Sequence, residues 1–324
     1  MIKRSCLVGC GSFLPEKIVT NDDLSQVMET THDWIVSRTG IHQRHVAAEN
    51  EKTSDLALIA CQRALAHAGK SIVDIDFIVC ATTTPDQIFP STATRLQSAL
   101  GMKRGFALDL QAVCSGFVYA LAVADNFIKT GQAKAGLVVG AETMSRLLDW
   151  SDRSTAILFG DGAGAVVLEA VEGKGSLEDR GILHTLLHSD GNLNDILYMT
   201  GGPGSTKGIG SMVMNGREVF RHAVEKLGSA IQEMLEACHL TEEEVDWFIP
   251  HQANERIIDA LSKRFAFSPE KVVKTIALHA NTSAASIPLA LDAAVQDGRI
   301  QRGDMILLDA LGGGLAWGSA LLRW

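Results

Sequence analysis

The stretch Ala107-Leu108-Asp109-Leu110-Gln111-Ala112-Val113-Cys114-Ser115-Gly116 decides the reading of this chain, because an apolar run ends there in a cysteine and a long apolar helix begins. Segment 107–140 aligns without gaps on segment 274–307. Four landmarks share an offset of 167 residues, pairing Cys114 with Asn281, Asp125 with Asp292, Gly131 with Gly298 and Gly136 with Gly303. A neighbouring stretch repeats at an offset of 170, so that Ile75-Asp76-Phe77-Ile78-Val79 matches Val245-Asp246-Trp247-Phe248-Ile249 and Ala81 falls opposite His251. An internal repeat fixes the architecture before any single element does. This one predicts two copies of a βα-rich unit, with Cys114 and Asn281 as symmetry mates and His251 at the carboxyl end of a strand.

Working outward, short strand-like runs alternate with helical ones: Ile78 to Ala81, Ala107 to Leu110, Leu137 to Gly140, Ala165 to Leu168, Phe248 to Ile249, Ile276 to Leu278, Ile306 to Leu308 and Ala320 to Leu322. Such alternation predicts an α/β protein. The helices Gly116 to Ile128 and Ala284 to Val295 are apolar nearly all round, so both are expected to be buried and to pack on each other in the middle of the molecule. The glycine-rich Glu172-Gly173-Lys174-Gly175-Ser176 is the expected join, giving halves 1–173 and 174–324 fused into one body.

With 324 residues, 46% of them hydrophobic, the chain has ample material for a large core. A net charge of −9 without Lys/Arg runs argues against nucleic acid as the main partner, because counterion release needs a basic surface. Six scattered cysteines show no disulfide or zinc spacing; Cys6 and Cys10 lack a second ligand pair, so no metal is expected. The amino-terminal apolar run breaks at Gly9 and Gly11, too short for export or a membrane span. A reduced, cytoplasmic setting with no membrane partner is the expectation.

The chemistry centres on three residues. Cys114 precedes a helix, where unpaired backbone N–H groups and the helix dipole favour a thiolate nucleophile. His251, in Ile249-Pro250-His251-Gln252-Ala253-Asn254, leaves an apolar strand for a polar turn and is the candidate proton partner. Asn281 in Asn281-Thr282-Ser283 reads as a helix cap, a role compatible with catalysis. The Gly160-Asp161-Gly162-Ala163-Gly164 run leads into a strand and not a helix, against a phosphate cradle. Bare backbone at Gly312-Gly313-Gly314 is suited to supplying an oxyanion donor.

These motifs resemble the β-ketoacyl-acyl-carrier-protein synthase III enzymes of the thiolase superfamily over essentially the whole chain. The carriers are Asp33-Trp34-Ile35-Val36-Ser37-Arg38-Thr39-Gly40-Ile41, Phe89-Pro90-Ser91, Cys114-Ser115-Gly116-Phe117, Phe159 to Gly164, His251-Gln252-Ala253-Asn254, Asn281 to Pro288, and Gly312 to Ala320. The resemblance implies a thiolase-like five-layered αβαβα fold of two duplicated halves, a homodimer, and condensation of an acyl-CoA primer with malonyl-acyl-carrier protein, with no cofactor. By the same resemblance Cys114 is acylated, His251 and Asn281 bind the malonyl thioester carbonyl, and the N–H groups of Cys114 and Gly313 form the oxyanion hole. Trp34, Arg38, Arg153 and Asn254 would hold CoA. Phe89 would reach the partner subunit's acyl pocket. Arg217, Arg221, Gln252 and Arg256, with Lys226 nearby, would meet the acidic carrier protein.

The chain departs from the family at Ala280, where a glycine commonly precedes the Asn-Thr-Ser motif, and at Arg221, where Lys is usual. A related acyltransferase of secondary metabolism is the alternative reading. Thiolase itself would need a second catalytic cysteine near the tail, and synthases of hydroxymethylglutaryl-CoA a glutamate in a comparable turn. A cysteine protease shares the Cys, His, Asn order, but the papain-type nucleophile motif is absent and duplication would serve no purpose there.

Overall fold

In the computed structural model, which describes residues 1–324, two sheets face each other across a layer of buried helices. Strands β1 (Ile2–Phe13), β2 (Phe77–Ala81), β3 (Phe106–Leu110), β4 (Ala135–Thr143) and β5 (Asp161–Gly173) form the first sheet, in the order β1-β5-β4-β2-β3. Strands β6 (Gly181–Ser189), β7 (Trp247–Pro250), β8 (Met305–Gly312) and β9 (Ala316–Arg323) form the second, in the order β7-β8-β9-β6. The pairs β2/β3, β2/β4 and β7/β8 are parallel, and the others antiparallel. Strands β2 and β4 are buried along their whole length, which is why they read as continuous apolar runs and not as alternating ones.

The helices used below are α1 (His32–Thr39), α2 (Thr53–Ala68), α3 (Thr92–Ala99), α4 (Gly116–Lys129), α5 (Gly216–Cys238), α6 (Glu255–Arg264) and α7 (Ser286–Gln296). Helices α2 and α3 cover the outside of the first sheet, and α5 with α6 the outside of the second. Helices α4 and α7 lie between the sheets. Phe117, Leu121, Ile287 and Leu291 join strand residues of both sheets in one buried cluster. The result is the five-layered αβαβα arrangement expected. The two central helices share that cluster, and the start of α4 sits against Ala284 in the turn before α7. Each carries a buried aspartate tied to β1: Ser5 donates to Asp125 at 2.7 Å and Ser12 to Asp292 at 2.6 Å.

Two expectations need correction. The duplication is real, but its register at the centre is 170 and not 167. The 3-10 turns Val113–Ser115 and Ser283–Ala285 precede α4 and α7 at that spacing, and Val113 and Ser283 share the same left-handed backbone, with φ of 48° and 50°. Cys114 therefore has Ala284 as its symmetry mate, and Asn281 lies three residues upstream of Ala284. The second correction is Ile276 to Leu278, which is a short helical turn and not a strand. The second sheet keeps only a single bridge at that edge, between Phe248 and Val272. The chain then coils beneath the ribbon residues 43–45, where the His42 N–H donates to the Ala277 carbonyl at 2.9 Å.

Candidate active site

The turn carrying Cys114 and the turn preceding α7 pack together where the two central helices begin. Glycine permits this approach: a Cβ at Gly140 would lie 2.3 Å from the Ala284 carbonyl oxygen, and one at Gly312 only 2.6 Å from the Cys114 amide nitrogen. Gly312 thus runs against the backbone of the nucleophile turn, and the buried Gly313 follows it against Leu197. Cys114, His251 and Asn281 all line one cavity of about 430 Å³, and each is only 5 or 6% exposed.

Asn281 is held by backbone on both sides. Its N–H donates to Leu158 O at 2.9 Å and its carbonyl accepts from the Gly160 N–H at 3.0 Å. Its side-chain Oδ1 accepts the Ser283 N–H at 2.8 Å, which leaves the Nδ2 donors free. The Phe159-Gly160 motif is therefore a bracket for Asn281. His251 sits just beyond β7, its N–H donating to Asp309 O at 2.7 Å and its ring Nδ1 lying 2.6 Å from the Ser286 hydroxyl. Burial pushes the His251 ring down to about 3, so it is neutral at physiological pH. Burial also pushes the Cys114 thiol up to about 12, against the lowering influence of the Ser283 hydroxyl. Burial thus opposes the thiolate expected from the helix start.

The mouth of the cavity is basic and its walls are apolar. Arg38, Arg217, Asn254 and Arg256 line the cavity together with the exposed Phe220 and the buried Phe159, Ile257 and Leu311. A buried nucleophile, an imidazole and a free amide donor in one cavity with arginines among its lining suit a thioester on a long anionic carrier.

Family comparison decides the affiliation. The 3-Oxoacyl-[acyl-carrier-protein (ACP)] synthase III description matches residues 108–191, and that of its C-terminal part residues 235–324. The Beta-ketoacyl-[acyl-carrier-protein] synthase III of Paramagnetospirillum magneticum is 59% identical over 100% of both chains. The chain belongs to the 3-oxoacyl-(acyl-carrier-protein) synthase III family. Among solved structures, the 3-oxoacyl-[acyl-carrier-protein] synthase III of Aquifex aeolicus superposes with a TM-score of 0.93 at 45% identity, covering 99% of this chain and 100% of that one. The priming beta-ketosynthase of the R1128 polyketide biosynthetic pathway gives the same TM-score of 0.93 at 34% identity, covering 99% and 96%.

Several residues singled out by family resemblance fall around this mouth. Trp34, on α1, is flanked by two guanidinium groups, Arg38 at 4.2 Å and Arg153 at 4.9 Å from the ring centroid. Arg153 also donates to Glu29 O at 2.7 Å, so the slot between it and Trp34 is closed and an intervening aromatic base requires Arg153 to swing away. Asn254 caps α6, accepting the Arg256 N–H at 2.9 Å, and its Nδ2 donates to Arg38 O at 3.1 Å. Arg256 reaches back to Ser37 O at 2.6 Å.

One expectation does not survive. Gln252 is fully buried; its Nε2 donates to Pro250 O and Val273 O while its Oε1 accepts from the Thr275 and Ile276 N–H groups, so it ties loops together and has no surface to offer a carrier protein. Arg221 lies outside the cavity and is turned onto Glu218 at 2.7 Å and Glu225 at 4.0 Å. Lys226 is spent on Asp190 at 3.3 Å and on the Trp317 ring. Phe89 is 80% exposed beside Ile88 and does not line the cavity of its own subunit.

Sequence reasoning missed Glu142, Ser283 and Ser286. Glu142 is fully buried at the end of β4 and accepts hydrogen bonds from the N–H groups of Thr83 and Thr84, from the hydroxyls of Thr82, Thr83 and Thr84, and from the Ser283 hydroxyl at 3.2 Å. Burial raises its carboxyl, opposed by those bonds. A lone carboxylate closing the otherwise apolar run Ala135 to Ala141 was the available signal. Cys10, set aside with Cys6, meets His67 and Asp292 within 4.8 Å. That cluster is already satisfied: Asp292 accepts from Ser12 and Gln296, and the His67 ring from the Cys10 N–H.

Proposed function

We propose that this chain carries out the priming condensation of fatty acid synthesis. Acyl-CoA, acetyl-CoA in the first place, transfers its acyl group to Cys114 Sγ; the thiol's proton leaves with CoA as its thiol, so the exchange of thioesters is balanced. Malonyl-acyl-carrier protein then enters the same cavity. Its thioester oxygen accepts from His251 and the Asn281 Nδ2, which stabilise the enolate left as carbon dioxide departs. The enolate carbon attacks the acyl carbonyl on Cys114, whose oxyanion is held by the N–H groups of Cys114 and Gly313. Collapse releases the cysteine and yields a 3-oxoacyl-acyl-carrier protein.

The observation carrying this reading is the convergence of Cys114, His251 and Asn281 on one cavity with an arginine-bearing mouth. Arg38 and Asn254 are assigned to the CoA diphosphate and pantetheine arm, Trp34 and Arg153 to its adenine, and Arg217 with Arg256 to the carrier protein. The exposed Phe89 is assigned to a second copy of the chain. Likeness to the R1128 priming beta-ketosynthase favours, as a second reading, the same chemistry on a polyketide carrier. Assay of carbon dioxide release tests the proposal. Release from malonyl-acyl-carrier protein that requires an acyl-CoA primer and disappears in His251→Ala supports it; primer-independent or absent release with intact protein refutes it.

A further inference from the structure

Ser286 opens α7 and is 2% exposed, with its hydroxyl between two partners on the His251 turn. Oγ lies 3.3 Å from the Gln252 backbone nitrogen and 2.6 Å from His251 Nδ1. The direction of both bonds follows from proton counting. A backbone N–H only donates, so Gln252 gives its proton to Oγ. The hydroxyl has no other acceptor within reach than Nδ1. Were Nδ1 protonated, Oγ would accept twice and its own proton would be buried without a partner, which native interiors avoid. Ser286 therefore donates to Nδ1, and the neutral ring must carry its proton on Nε2.

We propose that Ser286 is a positioning residue that locks His251 as an Nε2–H donor for the decarboxylative step and takes no part in acylation of Cys114. The inference rests on the reading of function given above for its catalytic half. It also has a consequence for that half: a ring protonated at Nε2 cannot accept the Cys114 proton there, so His251 acts as a donor and not as a base. Asn281, with Oδ1 spent on the Ser283 N–H, is restricted in the same way, and the two side chains present matched N–H donors.

The test compares wild type and Ser286→Ala by ¹⁵N spectroscopy of the histidine rings, by the rate of Cys114 acylation with acetyl-CoA, and by steady-state condensation. Wild-type His251 is expected as a single Nε2–H tautomer and the variant as a mixture. Acylation should stay within about twofold, while kcat for condensation falls about tenfold to a hundredfold with KM for malonyl-acyl-carrier protein little changed. A single Nε2–H tautomer retained in the variant overturns the proposal, as does an equal fall in acylation and condensation. Should the variant not fold, the wild-type spectrum alone decides, since an Nδ1–H signal contradicts the lock. If wild type makes no 3-oxoacyl product, the reading of function fails, yet the tautomer comparison still judges Ser286.

Discussion

Ala280, where the resemblance led glycine to be expected, stands immediately before Asn281. It has φ 57° and ψ −162°, a conformation nearly reserved for glycine, and its side chain is fully buried. The strain is borne next to Asn281, whose two backbone hydrogen bonds to Leu158 and Gly160 keep it in place regardless. Ala280→Gly should therefore stabilise the protein by about 1 kcal/mol, strain relief outweighing the extra entropy of the unfolded glycine. Urea denaturation measures this, and an unchanged or lower midpoint would count against a strained Ala280. Cys114 and His251 were legible as candidates because each follows an apolar strand, and Asn281 because it opens the capping sequence Asn281-Thr282-Ser283. Glu142, Ser283 and Ser286 were not, since a buried hydroxyl or carboxylate looks like any polar residue until its partners are placed.

Elements explain why such residues are held so firmly. Glu142 fastens the end of β4 to the Thr82–Thr84 loop after β2 and to the Ser283 turn before α7, uniting three segments that are distant in sequence. Removing the carboxylate strands several buried donors at once, so Glu142→Ala should cost about 3 kcal/mol or more. A loss below about 1 kcal/mol in equilibrium unfolding would contradict that hub. Strands β2, β4, β7 and β8 and helix α4 could be placed from apolar runs alone. The turn Ile276–His279 could not, because a three-residue apolar run carries no period to separate strand from helix. The register error of three residues arose similarly: glycines and aspartates aligned at 167, whereas the shared left-handed turn sits at 170 and involves Val113 and Ser283, side chains that do not advertise positive φ.

For the whole molecule, burial of ionisable groups ties stability to pH. His251 is held near 3 in the folded state against 6.5 for the free group, so between those values the unfolded chain binds the proton and the folded chain does not. Its contribution is fully present above pH 6.5 and is lost as pH falls. Buried Glu142 and Asp309, both raised, act in the opposite sense, so the histidine is isolated by difference. Between pH 6.5 and 4.5, His251→Asn should lose about 2 to 3 kcal/mol less stability than wild type. Parallel pH profiles for the two proteins would show that His251 is not desolvated.

The central claim is that Cys114 carries the acyl group and malonyl-acyl-carrier protein discharges it. Intact-protein mass spectrometry after brief exposure to acetyl-CoA, then to malonyl-acyl-carrier protein, tests it most directly. An acetyl adduct located on Cys114 that disappears as a 3-oxoacyl-carrier product forms is the predicted result; no adduct, or one that the malonyl carrier leaves in place, would contradict the account.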